Sequence, residues 1–390
     1  LANRDPNCAS DRVPRDWRNQ WVKNPRVQRW AAALPFTRSI ARFEARAMFD
    51  VVAGFVYSQI VLACLRLGVL ERLRAGAMTE AALQAEIALP PAALRSLLRA
   101  AAALEVLELR EPGVAVNREA PDPTRSWGLG LRGAALLGNP GVLAMIEHHA
   151  VLYADLVDPL AMFAAPRGST SLARYWPYAA ADSPEAVARE STHAYTRLMS
   201  ASQQLVAAEI LDAYDVREHR CVLDVGGGDG TFLRAVATRA PAAQLMLFDL
   251  PGVAGEAEAA FAAAGLAARC TVVPGDFSRD SLPRGADLIT FVRVLHDHDD
   301  PRVERMLRAA YEALPPGGRL VVAEPMAGTT GAARMGDAYF GVYLWAMGSG
   351  RPRTAAELTE MLQAAGFSHV RRRPTRIPLQ TSVLVAEKGV

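Results

Sequence analysis

The sequence is poor in cysteine and has no uninterrupted apolar run long enough to cross a membrane. None of its four cysteines has the spacing of a metal site, so we expect reduced thiols and no bound metal. The longest apolar region, 47–69, is interrupted by Asp50, Gln59 and Arg66 and therefore predicts a buried helix or two. Residues 1–30 carry charges throughout and lack the apolar core of a signal peptide. We therefore expect a cytoplasmic protein.

The chain also has almost no excess of charge. Its net charge is +2, and 51% of its residues are hydrophobic against 22% charged, which describes a globular protein with a sizeable core. The first 46 residues differ, because they hold ten Arg or Lys against four acids and include Trp17, Trp21 and Trp30. Basic residues with tryptophans suit an anionic membrane surface, but an arm that packs on a partner subunit explains them as well.

A glycine-rich segment at 224–230 joins an apolar run to a helical pattern that begins at Thr231. Glycines in such a turn let the backbone approach a small ligand, although a plain tight turn has the same composition. The third glycine of the G-x-G-x-x-G dinucleotide motif is missing, since Thr231 stands in its place. The next predicted strand, 244–248, is followed by Asp249, where a carboxylate can accept both hydroxyls of a ribose. These features predict a site for a ligand that contains a ribose.

Beyond residue 220, strand patterns alternate with helical patterns. This predicts an α/β fold with a parallel sheet and with ligands at the carboxyl ends of its strands. The predicted parallel strands lie near 221–225, 245–249, 271–274, 287–292 and 319–324. Two further strands, near 369–374 and 380–387, are joined by a link too short for a parallel crossover, so they must pair antiparallel.

From about residue 182 to its end, the chain resembles the small-molecule O-methyltransferases that use S-adenosylmethionine. Five blocks carry the resemblance in the family's order: 224–230, 248–251, 275–277, 293–297 and 314–318. The resemblance implies a Rossmann-like, seven-stranded methyltransferase domain whose antiparallel ending is foreign to nicotinamide dehydrogenases. It also implies S-adenosylmethionine as the cofactor and an N-terminal α-helical winged-helix domain that forms a homodimer.

The resemblance gives His296, the histidine of a Leu-His-Asp motif, the role of general base. Methyl transfer from a sulfonium needs alignment and removal of the acceptor's proton, and histidine fits the second task. Glu324 matches the family's first orienting acid, which would hold the second ring nitrogen and stabilise the cation that forms. Pro352 stands where plant members have a second acid, which leaves Asp297 and Asp337 as alternatives.

The same resemblance implies the remaining site residues. Those predicted to bind the cofactor are Asp224, Gly226, Gly228, Asp249, Leu250, Gly275, Asp276, Phe277 and Arg293. Those predicted to contact the substrate are Tyr195, Met199, Asp337 and Met347. Core packing explains Tyr195 and Met199 equally well. His298 replaces a tryptophan that lies near the adenine in many relatives, and it competes with His296 for the role of base unless it faces elsewhere.

We predict four segments along the chain. They are a basic arm at 1–46, a winged-helix-like dimerisation domain at 47–118, a helical connecting region at 119–215 and the methyltransferase domain at 216–390. The third helix of the winged module, 92–104, carries only two arginines, so we expect no binding of nucleic acid. A small wing is predicted at 108–116.

An apolar helical pattern at 144–153 includes two adjacent histidines, His148 and His149. Neighbouring residues on a helix point about 100° apart, so the two rings cannot jointly face one metal ion. One buried and one surface histidine is therefore the better interpretation.

Within the family, the chain resembles the carotenoid branch of purple photosynthetic bacteria, the hydroxyneurosporene or demethylspheroidene O-methyltransferases. Four sequence segments carry this resemblance: 49–59, 137–140, 152–159 and 346–353. It implies methylation of the tertiary 1-hydroxyl of an acyclic carotenoid, by an enzyme peripheral to the inner membrane. The alternatives are a methyltransferase for a bacteriochlorophyll precursor or a polyketide phenol, a nicotinamide oxidoreductase, and a noncatalytic ligand-sensing regulator.

Overall fold

The computed structural model describes residues 16–110, 126–175, 202–277 and 279–390. The chain forms two compact units, 1–133 and 134–390. The predicted residues Tyr195 and Met199 lie outside the described residues.

The first unit contains helices and one small sheet. Its helices are α1 (Asp16–Lys23), α2 (Pro25–Ala33), α3 (Pro35–Arg66), α4 (Val69–Arg72), α5 (Glu80–Glu86) and α6 (Pro91–Ala103). Its strands are β1 (Met78–Thr79), β2 (Leu107–Arg110) and β3 (Ser126–Leu129), in the order β1-β3-β2. Strand β2 pairs antiparallel with β3, which lies beyond the wing predicted at 108–116, and residues 111–125 are outside the described ranges.

Helix α3 corrects the prediction of a buried helix or two at 47–69. It is one continuous helix of 32 residues, and only Leu62 and Cys64 in it are buried. By length and composition alone, it could cross a membrane. Interruptions such as Asp50 indicated a core helix, but burial depends on which surfaces the rest of the chain covers, and most of this helix stays exposed within the described residues.

The second unit contains a large sheet and a further set of helices. They are α8 (Pro140–Leu156), α9 (Pro159–Ala164), α10 (Ser171–Tyr175), α11 (202–213), α12 (Thr231–Arg239), α13 (Pro251–Ala263), α14 (Asp300–Ala313), α15 (Phe340–Met347) and α16 (Ala355–Ala364). Helix α7 (Leu131–Leu137) crosses the boundary between the units. A π-helical segment, Arg334–Tyr339, directly precedes α15.

The large sheet confirms the predicted topology. Its strands are β4 (Cys221–Val225), β5 (Gln244–Asp249), β6 (Cys270–Pro274), β7 (Leu288–Val292), β8 (Arg319–Glu324), β9 (Ser368–Arg373) and β10 (Ser382–Glu387). Their order is β6-β5-β4-β7-β8-β10-β9. The first five run parallel, and β10 pairs antiparallel with both β8 and β9, as the short link predicted.

Each face of this sheet supports its own hydrophobic core, because successive strand residues point to opposite faces. Val222 packs in the core with α11, α12 and α13, while its neighbour Leu223 packs in the core with α14 and α16. The apolar residues of β4 are therefore buried on both sides, as in other parallel sheets covered by helices. This arrangement holds the carboxyl ends of β4, β5, β7 and β8 along one edge.

Candidate active site

His296 and Glu324 meet at the carboxyl ends of β7 and β8. Strand β7 ends at Val292, and His296 lies in the 3-10 turn that follows it. The Nδ1 atom of His296 forms a hydrogen bond with Oε2 of Glu324. Because both side chains are almost fully buried, this carboxylate fixes the orientation of the ring.

The same carboxylate also fixes the turn that carries the histidine. Oε1 of Glu324 accepts the backbone N–H groups of Val294, at 3.0 Å, and of Leu295, at 2.8 Å. Ring and backbone are therefore held by one side chain from the neighbouring strand.

Asp297 contacts the other ring nitrogen of His296. Its Oδ1 lies 3.2 Å from Nε2. Burial alone would lower the pKa of His296, but the Asp297 and Glu324 carboxylates outweigh it and raise that pKa. Of the two alternatives for a second acid, Asp297 contacts His296, whereas Asp337 is exposed and accepts the N–H of Gly328 at 2.9 Å.

The loop 350–353 packs against the 3-10 turn that carries His296. The sequence analysis did not predict this role. Arg353 is 2% exposed and donates to the carbonyl oxygens of Leu295, at 2.8 Å, and His298, at 2.7 Å. A Cβ on Gly350, whose φ is +74°, would lie 2.0 Å from the carbonyl oxygen of His296, so only glycine fits there. Thr354 and Glu357 form a capping box at the start of α16, which orders the end of this loop.

His298 differs from His296 in its surroundings. Its ring meets Phe277 edge to face, with centroids 5.1 Å apart. Burial, followed by the charges of Arg302 and other cationic groups, lowers its pKa to about 3, so the ring stays neutral. Its buried Nδ1 has no hydrogen-bond partner among the described residues, which suits contact with a ligand near Phe277 rather than catalysis.

The glycine-rich turn after β4 contacts the carboxylate that ends β5. The N–H of Gly228, a residue with φ of +60°, donates to Oδ2 of Asp249 at 2.7 Å. The N–H of Leu250 donates to Oδ1 of the same carboxylate at 2.7 Å. Asp249 is 8% exposed, and burial raises its pKa to about 6.

Asp224 provides a second buried carboxylate at this turn. Its Oδ1 accepts the hydroxyl of Thr290 at 2.6 Å, and burial raises its pKa to about 7. Its Oδ2 is buried and has no hydrogen-bond partner among the described residues. A ligand with hydroxyl or ammonium donors would satisfy such acceptors, so this end of the sheet fits S-adenosylmethionine.

The other predicted cofactor residues border the same edge. Gly226 has φ of +72°, and a Cβ there would meet the side chain of Val294 at 2.9 Å. Asp276 follows β6 with a side chain 2% exposed, and its N–H donates to Asp280 at 2.8 Å. Gly275 packs on the ring of Phe248, where a Cβ would approach to 2.5 Å.

Arg293 lies between this edge and the histidine. It has a positive φ of +58°, which is strained for a residue other than glycine. Its Nη1 donates to Oγ of Ser202 on α11 at 2.7 Å. Its positive charge acts against protonation of His296.

Aromatic side chains connect His296 to helix α8. The ring of Phe340 meets His296 edge to face at 5.7 Å, and Tyr339 and Tyr343 lie beside it. The hydroxyl of Tyr343 bonds Nε2 of His148, and that of Tyr339 bonds Nε2 of His149, both at 2.7 Å. The predicted surface histidine is therefore wrong: His149 is half-buried, because tyrosines far along the chain cover both rings.

Met347, a predicted substrate residue, is fully buried in this region. It packs in the apolar cluster that includes Leu152 and Leu172, on α8 and α10. Among the described residues, no group of three or more His, Cys, Asp or Glu could hold a metal ion.

We expect Asp249→Ala to weaken the binding of S-adenosylmethionine about tenfold or more. A lost hydrogen bond to a charged group costs about 1.5–3 kcal/mol, and one carboxylate would hold two ribose hydroxyls. Isothermal titration calorimetry measures the change, with Asp249→Asn as the control that keeps the size and one acceptor oxygen. An unchanged affinity in the alanine variant would remove this role from Asp249.

The affinity should also depend on pH with a defined sign. Hydroxyl donors favour the ionised carboxylate, so binding should strengthen as the pH rises through about 6, the raised pKa of Asp249. Asp249→Asn should lack this step.

Comparisons with known proteins agree with this geometry. The family model described as an O-methyltransferase domain matches residues 174–368. The chain is 44% identical to the demethylspheroidene O-methyltransferase of Cereibacter sphaeroides, over 93% of this chain and 92% of that protein. It is 30% identical to the acetylserotonin O-methyltransferase of Mus musculus, over 88% of each chain.

A solved structure has the same fold. Human N-acetylserotonin methyltransferase in complex with SAM superposes with a TM-score of 0.71 at 20% identity, and the match covers 89% of this chain and 98% of that one. At this identity the likeness shows the fold alone, whereas the family match and the sequence relatives decide membership. The chain belongs to the O-methyltransferase family.

Proposed function

We propose that this protein transfers the methyl group of S-adenosylmethionine to the tertiary 1-hydroxyl of an acyclic carotenoid, in carotenoid biosynthesis. The observation that carries the proposal is the buried pair of His296 and Glu324 beside the glycine-rich turn. The choice of acceptor is supported by the 44% identity to a demethylspheroidene O-methyltransferase.

The residues of this chain suit proton removal from a weakly acidic alcohol. When bound, S-adenosylmethionine supplies a methyl group that is already activated. A tertiary alcohol does not ionise beforehand, so Nε2 of His296 accepts its proton as the methyl group is transferred. Glu324 holds Nδ1 and stabilises the imidazolium that results. Asp297 lies 3.2 Å from Nε2, so the incoming hydroxyl shares or replaces that contact.

A comparison of three possible methyl acceptors tests the proposal. The enzyme is incubated with isotopically labelled S-adenosylmethionine and, in separate reactions, a 1-hydroxy acyclic carotenoid, a bacteriochlorophyllide and a polyketide phenol. Mass spectrometry should find the labelled methyl group on the oxygen of the carotenoid. Methylation of the bacteriochlorophyllide or the phenol, with none of the carotenoid, would instead establish one of the alternative acceptors.

We also propose that residues 47–118 form a homodimer interface. The support is the middle of α3, where five apolar side chains are 62–69% exposed: Met48, Phe49, Val51, Val52 and Phe55. Exposed apolar surface of this extent is costly in water and favours a partner. Light scattering at micromolar concentration should give the mass of two chains. The mass of one 41.9 kDa chain would contradict the proposal.

Membrane contact through the N-terminal arm is a separate proposal. Trp21 and Trp30 are 60% and 61% exposed, beside basic residues that attract anionic lipid. Deletion of residues 1–45 should reduce binding to anionic liposomes and methylation of membrane-embedded carotenoid. Activity on detergent-dispersed carotenoid should be retained, because the catalytic residues remain. Joint loss of the dimer and of cofactor binding would instead identify a structural arm.

A further inference from the structure

A cavity of about 240 Å³ lies where β8, β9 and β10 meet the end of α11. We call it the edge cavity. It is lined by Tyr214, Arg319, His369, Arg371, Arg373, Val385, Ala386 and Glu387. His369, Arg371 and Arg373 alternate along β9, and side chains two residues apart point to the same face of a strand. Three basic side chains of one edge strand therefore converge on one concave surface.

The edge cavity is separate from the methyltransferase site. Arg319 is the first residue of β8, whereas Glu324, which holds His296, is the last. The edge cavity lies at the amino end of β8. Because β4, β5, β7 and β8 run parallel, the predicted cofactor residues lie at the carboxyl ends of these strands, on the opposite side of the sheet. The five residue steps from Arg319 to Glu324 along β8 separate the two places by about 16 Å, at about 3.3 Å per residue.

The lining of the edge cavity has an excess of positive charge. Its lining has three guanidinium groups and one carboxylate, that of Glu387. Arg319 lies 3.4 Å from Glu218, outside the lining. Across the described residues, Arg371 and Arg373 have no ion pair with a carboxylate. The positive charges of Arg371 and Arg373 repel each other. An anion in the cavity would relieve this repulsion, because it attracts both side chains.

A β-bulge directs His369 into the same cavity. Val385 pairs with Arg371 but Glu387 pairs with Ser368, so β9 has one extra residue between these positions. His369 takes up the irregularity with φ of +49°, a conformation that is unfavourable for a residue other than glycine. Bulges re-aim side chains at functional places. Charged residues that merely protect an edge strand from aggregation need neither a bulge nor a common face.

We propose that the edge cavity binds a phosphate group, carried by a lipid headgroup or by a soluble phosphate compound. Guanidinium groups bind phosphate oxygens in pairs through parallel N–H donors, and a histidine adds a further donor. The proposal is independent of the methyl acceptor, because phosphate binding is measured without turnover.

Arg372 provides a matched control. It has the same charge and lies on the same strand, but it points to the other face, where its Nη2 lies 3.4 Å from Oγ of Ser382. Isothermal titration calorimetry with inorganic phosphate, at constant ionic strength, should give about tenfold weaker binding for Arg371→Ala and for Arg373→Ala. Arg372→Ala should bind as the unmodified protein does. Absence of saturable binding, or an equal loss in all three variants, would overturn the proposal.

A variant of His369 tests the bulge. Glycine adopts φ of +49° without strain, so His369→Gly should retain the fold while it weakens phosphate binding. Circular dichroism and activity on detergent-dispersed substrate verify folding of every variant. If an alanine variant does not fold, Arg371→Lys and Arg373→Lys keep the charge but lose the paired donors, and weaker binding is again expected. Unchanged binding in these lysine variants and in His369→Gly would overturn the proposal.

Vesicles distinguish the two sources of phosphate. The probes are phosphatidylcholine vesicles with and without phosphatidylglycerol, in a flotation assay. If Arg371→Ala and Arg373→Ala reduce binding to the anionic vesicles and Arg372→Ala does not, the ligand is a lipid headgroup. If the same variants weaken inorganic phosphate but leave vesicle binding intact, the ligand is a soluble phosphate compound.

Discussion

His296→Ala should lower kcat by about 10²–10⁴ and leave the affinity for S-adenosylmethionine nearly intact. General-base catalysis is worth this much, and the base acts on the acceptor rather than on the methyl donor. A single-turnover assay with saturating cofactor measures the chemical step, and calorimetry measures cofactor binding. His298→Ala is the matched control, because this neighbouring histidine is equally buried but has no carboxylate partner in the described part of the chain. If His298→Ala is the more damaging change, the two roles are reversed.

The dependence of the rate on pH should reflect the pKa of His296. His296 accepts a proton only when its ring is neutral, and the carboxylates of Asp297 and Glu324 raise its pKa against the effect of burial. The rate of the chemical step should therefore rise with pH through a value above the ordinary histidine range. In Asp297→Asn, which removes one of the two carboxylates, this step should move to lower pH.

Glu324→Gln should have the second largest effect, a loss in kcat of about 10² or more. The carboxylate accepts three N–H groups, from Val294, Leu295 and Nδ1 of His296. A glutamine amide has only one acceptor oxygen and presents N–H donors to one of these partners, so the ring loses its tautomer or its orientation. Steady-state kinetics across a range of pH measures both kcat and the pH at which the rate rises.

The pH profile distinguishes an orienting role of Glu324 from a merely structural one. Loss of the carboxylate should lower the pKa of His296, because one of the two charges that raise it disappears. Glu324→Asp keeps the charge and should retain more of this shift than glutamine does. A reduced rate with an unmoved pH profile in Glu324→Gln would contradict the orienting role.

The sequence by itself determined the catalytic sheet and the ends of its strands. Alternating apolar patterns indicate buried strands, and the short link before β10 permits only antiparallel pairing, so the topology followed from local information. Ligands bind at the carboxyl ends of such strands, which is where the sequence placed Asp249, whereas the pairing of Glu324 with His296 was implied by the family resemblance. The structure brings Asp249 to the glycine turn and His296 to Glu324.

Only the tertiary structure decided which surfaces stay exposed and which distant side chains meet. Helix α3 has the composition of a core helix, but composition cannot show that little of the chain described by the structure covers it. His148 and His149 were expected to differ in burial, yet each bonds a tyrosine more than 180 positions away. The contact of Asp297 with Nε2 depends on the path of one turn. Such contacts depend on how separate elements pack, and no local pattern in the chain encodes that packing.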